Sequence, residues 1–287
     1  LVTGVQTCAL PISLLADLVG QVGGDAIRVV SLVPKGGEVH TFDPKPSDLR
    51  TISEAALIVS NGLGLDDWLT GLASDVGSEA SIVRLAEDLP GATYLEGSHD
   101  DHGGGTDAGS AGEAHGPNPH LWLNVRYAIA YVDRIEAALV AAVPGERAGI
   151  AERAAAYRTR LSELDAWVRE RITTIPEARR AVVSFHDALP YYAAAYDLRV
   201  VGVIVPAPGQ EPSAGEVAAL VTAIREAGVS AIFSEAQFDP SLAATLAAEA
   251  GARVVADLYT DSLGDPPVDS YEGVIRWDTE RIVEALR

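Results

Sequence analysis

A chain of 287 residues, 48% hydrophobic and 22% charged, is long enough for two ordinary domains and too apolar for wholesale disorder. Its formal net charge of −20 excludes nucleic acid as a partner, because displacing counterions from phosphate needs Lys/Arg clusters that are absent here, and it matches anionic lipid poorly. The single cysteine, Cys8, excludes an intramolecular disulfide and a thiolate zinc cluster, so a metal site in this chain must be built from His and carboxylates.

The opening string LVTGVQTCALPI lacks the basic start, apolar core and small-residue cleavage site of a signal peptide. It resembles translated sequencing-adapter read-through. Residues 1–12 are therefore expected to be a non-native leader that replaced the export signal and part of a first strand. No apolar run reaches transmembrane length.

From Ser13 onward, helix and strand patterns alternate. Ser13–Val22 reads as a helix with Leu14, Leu15, Leu18 and Val19 on one face, ended by Gly23 and Gly24. Ala26–Val33 reads as a strand closed by Pro34, Pro46–Glu54 as a short helix and Ala56–Ser60 as a buried strand. Asp66–Val76 follows as a helix and Ser81–Leu85 as a short strand. Gly97–Pro117, GSHDDHGGGTDAGSAGEAHGP, breaks the pattern. It has no apolar periodicity and holds His99, His102 and His115, three of the six histidines. It reads as a flexible loop that either captures metal weakly or serves as a spacer.

Helical periodicity resumes over Asn124–Val143 and stops at Pro144. Glu146–Thr174 is a charged helix with an apolar stripe of Leu161, Leu164, Trp167 and Val168. At 1.5 Å per residue it spans roughly 40 Å, more than a small domain needs. A long surface helix is one reading; a backbone joining two lobes is preferred, because a second series follows at once. That series comprises strands Arg180–Phe185, Arg199–Val205, Ser230–Ser234 and Arg253–Leu258, with helices Ala188–Tyr196, Ser213–Ala227, Pro240–Ala250 and Tyr271–Leu286. The predicted class is α/β: two lobes with parallel sheets, residues 13–145 and 176–287, joined by a linking helix at 146–175.

In open parallel sheets, ligands sit beyond the C-terminal ends of strands. His40 lies shortly after strand 26–33, His186 immediately after strand 180–185 and Asp261 after strand 253–258. His120 lies between the loop and the helix from Asn124. Each alone has an ordinary alternative, such as a hydrogen-bonded cleft histidine or an Asx turn for Asp261. Their joint placement, two in each lobe, favours a shared site. Imidazole and carboxylate are the ligands that a borderline cation such as Zn²⁺ accepts in a tetrahedral array.

His40 sits in EVHTFDPKPSD, His120 in NPHLWLN, His186 in SFHDALPYYAAAYDL and Asp261 in LYTDSLG. In order and spacing these motifs, with the His-rich loop and the long helix, resemble the cluster A-I solute-binding proteins, the zinc and manganese receptors of ABC importers. The resemblance runs from about Ser13 to the C-terminus. It implies that His40, His120, His186 and Asp261 ligate one metal ion in a cleft between lobes held by a rigid helix. It also implies an extracytoplasmic, monomeric receptor that passes its metal to a membrane permease. Manganese receptors of this type tend to carry a carboxylate where this chain has His186, so zinc is expected, with manganese as the alternative.

Supporting residues are read more modestly. Pro44, Pro46 and Asp48 form the turn and first helical turn after His40. Asn118-Pro119 presents His120 in an extended conformation. Glu235 in FSEAQFDP is either an acceptor that orients a ligand imidazole or a salt-bridge partner across the cleft, and Trp68 and Trp122 are packing. No His-Glu-x-x-His, G-x-S-x-G or P-loop is present. Four protein ligands favour capture over catalysis, which keeps a position open for water, so no enzyme is expected.

Overall fold

The computed structural model describes residues 6–97, 116–206 and 208–287. Strands β1 (Gln6–Leu10), β2 (Ile27–Ser31), β3 (Leu57–Ser60) and β4 (Ser81–Arg84) form a parallel sheet in the order β2-β1-β3-β4. Strands β5 (Ala181–Ser184), β6 (Arg199–Val203), β7 (Ala231–Glu235) and β8 (Arg253–Leu258) form a second parallel sheet in the order β6-β5-β7-β8. The same order thus occurs twice. Parallel strands covered on both faces should be continuously apolar, and β3, β5 and β7 are buried along their whole length.

Gln6–Leu10, within the segment expected to be a leader, is an inner strand of the first sheet. It pairs with β2 along its whole length and with β3 at Cys8 and Ala9, and Cys8, Ala9 and Leu10 are wholly buried. A strand of five residues ended by Pro11 is too short to show periodicity. The His-rich stretch expected as a loop falls largely on residues 98–115, outside the described residues. Its ends lie side by side, Glu96 and Pro117 forming an isolated antiparallel bridge.

Helices α1 (Ser13–Gly23), α2 (Pro46–Glu54) and α3 (Asp67–Asp75) belong to the first series, and α6 (Pro190–Tyr196), α7 (Ala214–Ala227), α8 (Ser241–Ala250) and α9 (Tyr271–Leu286) to the second. The turn after His40 forms as expected: the Lys45 amide donates to Asp48 Oδ2 at 2.7 Å, and Pro46 opens α2. Ser213 and Glu216 box the start of α7, and Gly228 ends it at φ 64°, a left-handed value that glycine reaches without strain.

Between the series lie α4 (Val125–Ala142) and the long α5 (Arg147–Thr173). The buried residues Ile150, Ala154, Tyr157, Leu161, Leu164, Val168 and Ile172 recur every three or four positions and make one stripe along α5. That stripe packs on α1 and α4 in the first half and on α6 and α9 in the second. A single apolar core therefore runs from Cys8 and Leu10 through α1, α4 and α5 to Val182, Phe233 and Tyr271. Smaller clusters fill the opposite face of each sheet, around Ile52 and Leu69 in one and Ile224 and Leu246 in the other.

Candidate metal centre

Both sheets point their strand C-terminal ends into the gap between them. His40 stands on the segment leading from β2 to α2, where the buried Val39 anchors the chain and the His40 amide donates to Glu38 Oε1 at 2.8 Å. His120 immediately precedes a single 3-10 turn, Leu121–Leu123, that leads into α4. Trp122, in the middle of that turn, is wholly buried. Its indole donates to the Thr260 carbonyl at 2.8 Å, and its own carbonyl accepts from the Tyr271 hydroxyl at 2.6 Å. His186 follows β5 and Asp261 follows β8. His120, His186 and Asp261 are 2%, 1% and 0% exposed, while the His40 ring remains 17% exposed.

The four predicted residues converge. Their ligand atoms lie within 4.8 Å of one another, an arrangement that could hold a metal ion. Asp261 Oδ2 is 3.0 Å from His186 Nε2 and 3.8 Å from His40 Nε2, and Asp261 Oδ1 is 3.5 Å from His120 Nε2. The Nε2 atoms of His120 and His186 are 3.4 Å apart. For bonds of about 2.0–2.2 Å, a tetrahedral zinc shell places neighbouring ligand atoms about 3.3–3.6 Å apart. Two of the four spacings, 3.4 and 3.5 Å, fall in that range; His186 stands closer to Asp261, at 3.0 Å, and His40 wider, at 3.8 Å.

Both carboxylate oxygens of Asp261, and His40 Nε2, are buried without a hydrogen-bond partner among the described residues. Unsatisfied polar atoms are costly to bury, and a cation at their centre would satisfy all three.

The outer ring nitrogens have acceptors that set the tautomers. His120 Nδ1 donates to Asn118 Oδ1 at 3.0 Å, and His186 Nδ1 lies 2.9 Å from Glu235 Oε1. A proton on Nδ1 of His120 leaves its Nε2 free to face the centre, while His186 has Glu235 at Nδ1 and Asp261 at Nε2. Of the two readings open for Glu235, the structure shows the contact with a site imidazole. Trp68 packs as expected, its ring 5.1 Å from that of Phe42.

Burial pushes His40 down to about 4 and His120 well below its ordinary value, so both are neutral near pH 7. Burial acts the same way on His186, but the carboxylates of Glu235 and Asp261, one at each ring nitrogen, outweigh it and hold this histidine well above its usual value. Asp261 is also opposed by burial, yet the imidazoles of His186 and His120 hold it below the usual carboxylate range. Glu38 is pushed up to about 7 by burial and by the charge of Asp261. Sequence reading gave Glu38 no role, although it opens the EVHTFDPKPSD motif of His40; only folding brings it to the Asp261 carboxylate.

A family model described as zinc-uptake complex component A, periplasmic (ZnuA) matches residues 11–285. The manganese-binding lipoprotein MntA of Halalkalibacterium halodurans is 29% identical over 276 residues, covering 96% of this chain and 86% of that protein. Among solved structures, the periplasmic zinc binding protein TroA from Treponema pallidum aligns with a TM-score of 0.86 at 24% identity, covering 99% of each chain. A Mn-bound periplasmic metal binding protein from Candidatus Liberibacter asiaticus gives 0.84 at 23% identity, covering 98% of this chain and 100% of that one. At these identities the two structures speak for the fold. The chain belongs to the zinc-uptake complex component A family, the metal-binding receptors of ABC importers, and is a substrate-binding protein rather than an enzyme.

Proposed function

We propose that this protein captures a single zinc ion outside the cytoplasm through His40, His120, His186 and Asp261 and delivers it to an ABC permease. The observation that carries the reading is the convergence of three imidazole Nε2 atoms on one buried carboxylate, at 3.0 to 3.8 Å. The ion is cargo, so tight capture must coexist with a route out. His40, the only partly exposed member, marks that route.

Zinc is favoured over manganese by the donor set. Three nitrogens and one carboxylate suit four-coordinate Zn²⁺, whereas Mn²⁺ prefers more oxygen and binds most weakly along the divalent series. Manganese is the second reading. Both Asp261 oxygens face the site imidazoles and could raise the coordination number, and MntA is named for manganese. The test is metal content after chelator-free purification, followed by competition titration. Zinc should outcompete manganese by several orders of magnitude, and comparable affinities would overturn the zinc assignment while leaving the receptor reading intact. No helix among the described residues is long and apolar enough to cross a membrane. The lipoprotein relative MntA supports work at the outer face of one. The histidines of 98–115 would gather metal weakly, so deleting the segment should leave the tight site unchanged.

A further inference from the structure

Asn118 uses its whole hydrogen-bonding capacity to join the two halves of the site. It is 2% exposed. Its Oδ1 accepts from the amide and from Nδ1 of His120, each at 3.0 Å. Its Nδ2 donates to the main-chain carbonyl of Asp187 at 2.7 Å and to Asp187 Oδ2 at 3.0 Å. Two lone pairs and two protons are all that a primary amide has. The orientation is unambiguous, since a main-chain amide can only donate and a main-chain carbonyl can only accept. Asp187 directly follows His186, so one side chain orients an imidazole of the first lobe and grips the backbone beside an imidazole of the second. Tyr191 of α6 secures the same junction: its hydroxyl donates to the Asn118 carbonyl at 2.9 Å and accepts from the Leu95 amide at 3.1 Å.

We propose that Asn118 is a positioning residue that couples the two halves, so that His120 is held ready for metal only while the His186–Asp187 segment is docked against it. The inference rests on the ligand set proposed above. If the segment carrying Asp187 moves away, both Nδ2 protons lose buried acceptors. The amide then turns to find others, and Oδ1 leaves His120 Nδ1. Loosening one lobe therefore loosens a ligand on the other, and the ion is released by a concerted step. Asn118 touches no metal, so its effect belongs to the rate of release more than to the shape of the shell.

The experiment uses Co²⁺ as a spectroscopic probe on the full chain and measures its dissociation into excess chelator by stopped flow. Asn118→Asp keeps an oxygen acceptor for His120 but sets oxygen against oxygen at Asp187. We expect dissociation at least about tenfold faster, in line with losses on removing outer partners of metal ligands, with the tetrahedral Co²⁺ absorption of the wild type retained. A folded Asn118→Asp protein with the wild-type release rate would overturn the coupling. Should that variant fail to fold, Tyr191→Phe decides. It removes only the hydroxyl behind the junction and should speed release a few-fold; an unchanged rate there overturns the proposal. Absence of a tetrahedral Co²⁺ spectrum in the wild type would instead overturn the ligand set itself.

Discussion

The two lobes repeat one strand order yet contribute unequally to the site. The second lobe supplies His186 and Asp261 from the ends of β5 and β8, 1% and 0% exposed, with Glu235 of β7 at His186. The first lobe supplies His120, oriented by Asn118, and His40, whose ring is 17% exposed and whose Nε2 lies 3.8 Å from Asp261, against 3.0 Å for His186. His186 follows β5, which is paired on both sides, and Asp261 follows the edge strand β8 and is wholly buried, whereas the segment carrying His40 is held by Gly36 at Ser262 and Leu263, by the buried Val39 and by the Glu38 contact, and leaves the His40 ring partly open. The second lobe is thus the preformed half and His40 the adjustable member that closes on the ion.

The largest effects should fall on the preformed half. Asp261→Ala removes the only ligand charge and leaves the proton of His186 Nε2 without its closest carboxylate. His186→Ala removes a buried imidazole and exposes Glu235 and Asp261 to each other. Each should weaken zinc binding by more than about a hundredfold, beyond the ten- to hundredfold typical of losing an outer-sphere partner. His40→Ala should cost less than either, since water can take its place at the open side. A chelator-competition series ranks the three, and His40→Ala proving the most damaging would reverse the proposed division of labour.

Much of this was legible in the residues. The apolar runs of β3, β5, β7 and β8, and the stripe at Leu161, Leu164 and Val168, carry periodicities of their own, so the paired sheets and the connecting helix could be read directly. The grouping of the four candidate residues was legible because three follow strands and all sit in short motifs, and the fold does bring them together. What escaped depends on distant parts of the chain. Strand β1 is only five residues long and becomes a strand through its neighbours Ile27–Ser31 and Leu57–Ile58. The Asn118–Asp187 junction escaped for the same reason, since its halves lie 69 residues apart, and Glu38, though two residues from His40, gains its electrostatic setting only when Asp261 folds beside it.

A smaller effect sharpens the comparison through pH. His186 has a carboxylate at each nitrogen and is held well above its ordinary value, so the metal-free protein carries a proton there near pH 7. His40 and His120 are lowered and already neutral, and Asp261 is lowered and already ionised. Metal must therefore displace the proton of His186, in the second lobe, and by neutralising Asp261 it also draws part of a proton from Glu38, which sits at about 7 in the metal-free protein. Raising the pH removes the competitor, so apparent affinity should tighten about tenfold per pH unit around neutrality until His186 deprotonates in the free protein. Calorimetry in buffers of different ionisation enthalpy counts the proton directly. Release of none at pH 7 would mean that His186 is not protonated in the free protein.

The smallest expected effect concerns overall shape. If adjustment is confined to the segment of His40 and the junction at Asn118, the lobes as bodies should hardly move when metal leaves. Past Gly149 in its first turn, α5 contains no Gly or Pro, so bending it sharply would break its own hydrogen bonds. The lobes are also tied near the site by buried contacts. The Leu263 amide donates to Ser13 Oγ at 2.9 Å, the Trp122 indole to the Thr260 carbonyl at 2.8 Å, and the Tyr271 hydroxyl to the Trp122 carbonyl at 2.6 Å. Each of these hydrogen bonds given up to water on a wide opening costs about 0.5–1.5 kcal/mol, and the shared apolar core would be exposed as well. X-ray scattering from metal-free and zinc-loaded protein should therefore give indistinguishable radii of gyration, while amide exchange quickens around residues 36–42 in the metal-free form. A markedly larger radius without metal would show that the core joining the lobes opens, and would move the adjustable element from the His40 segment to the interface along α5.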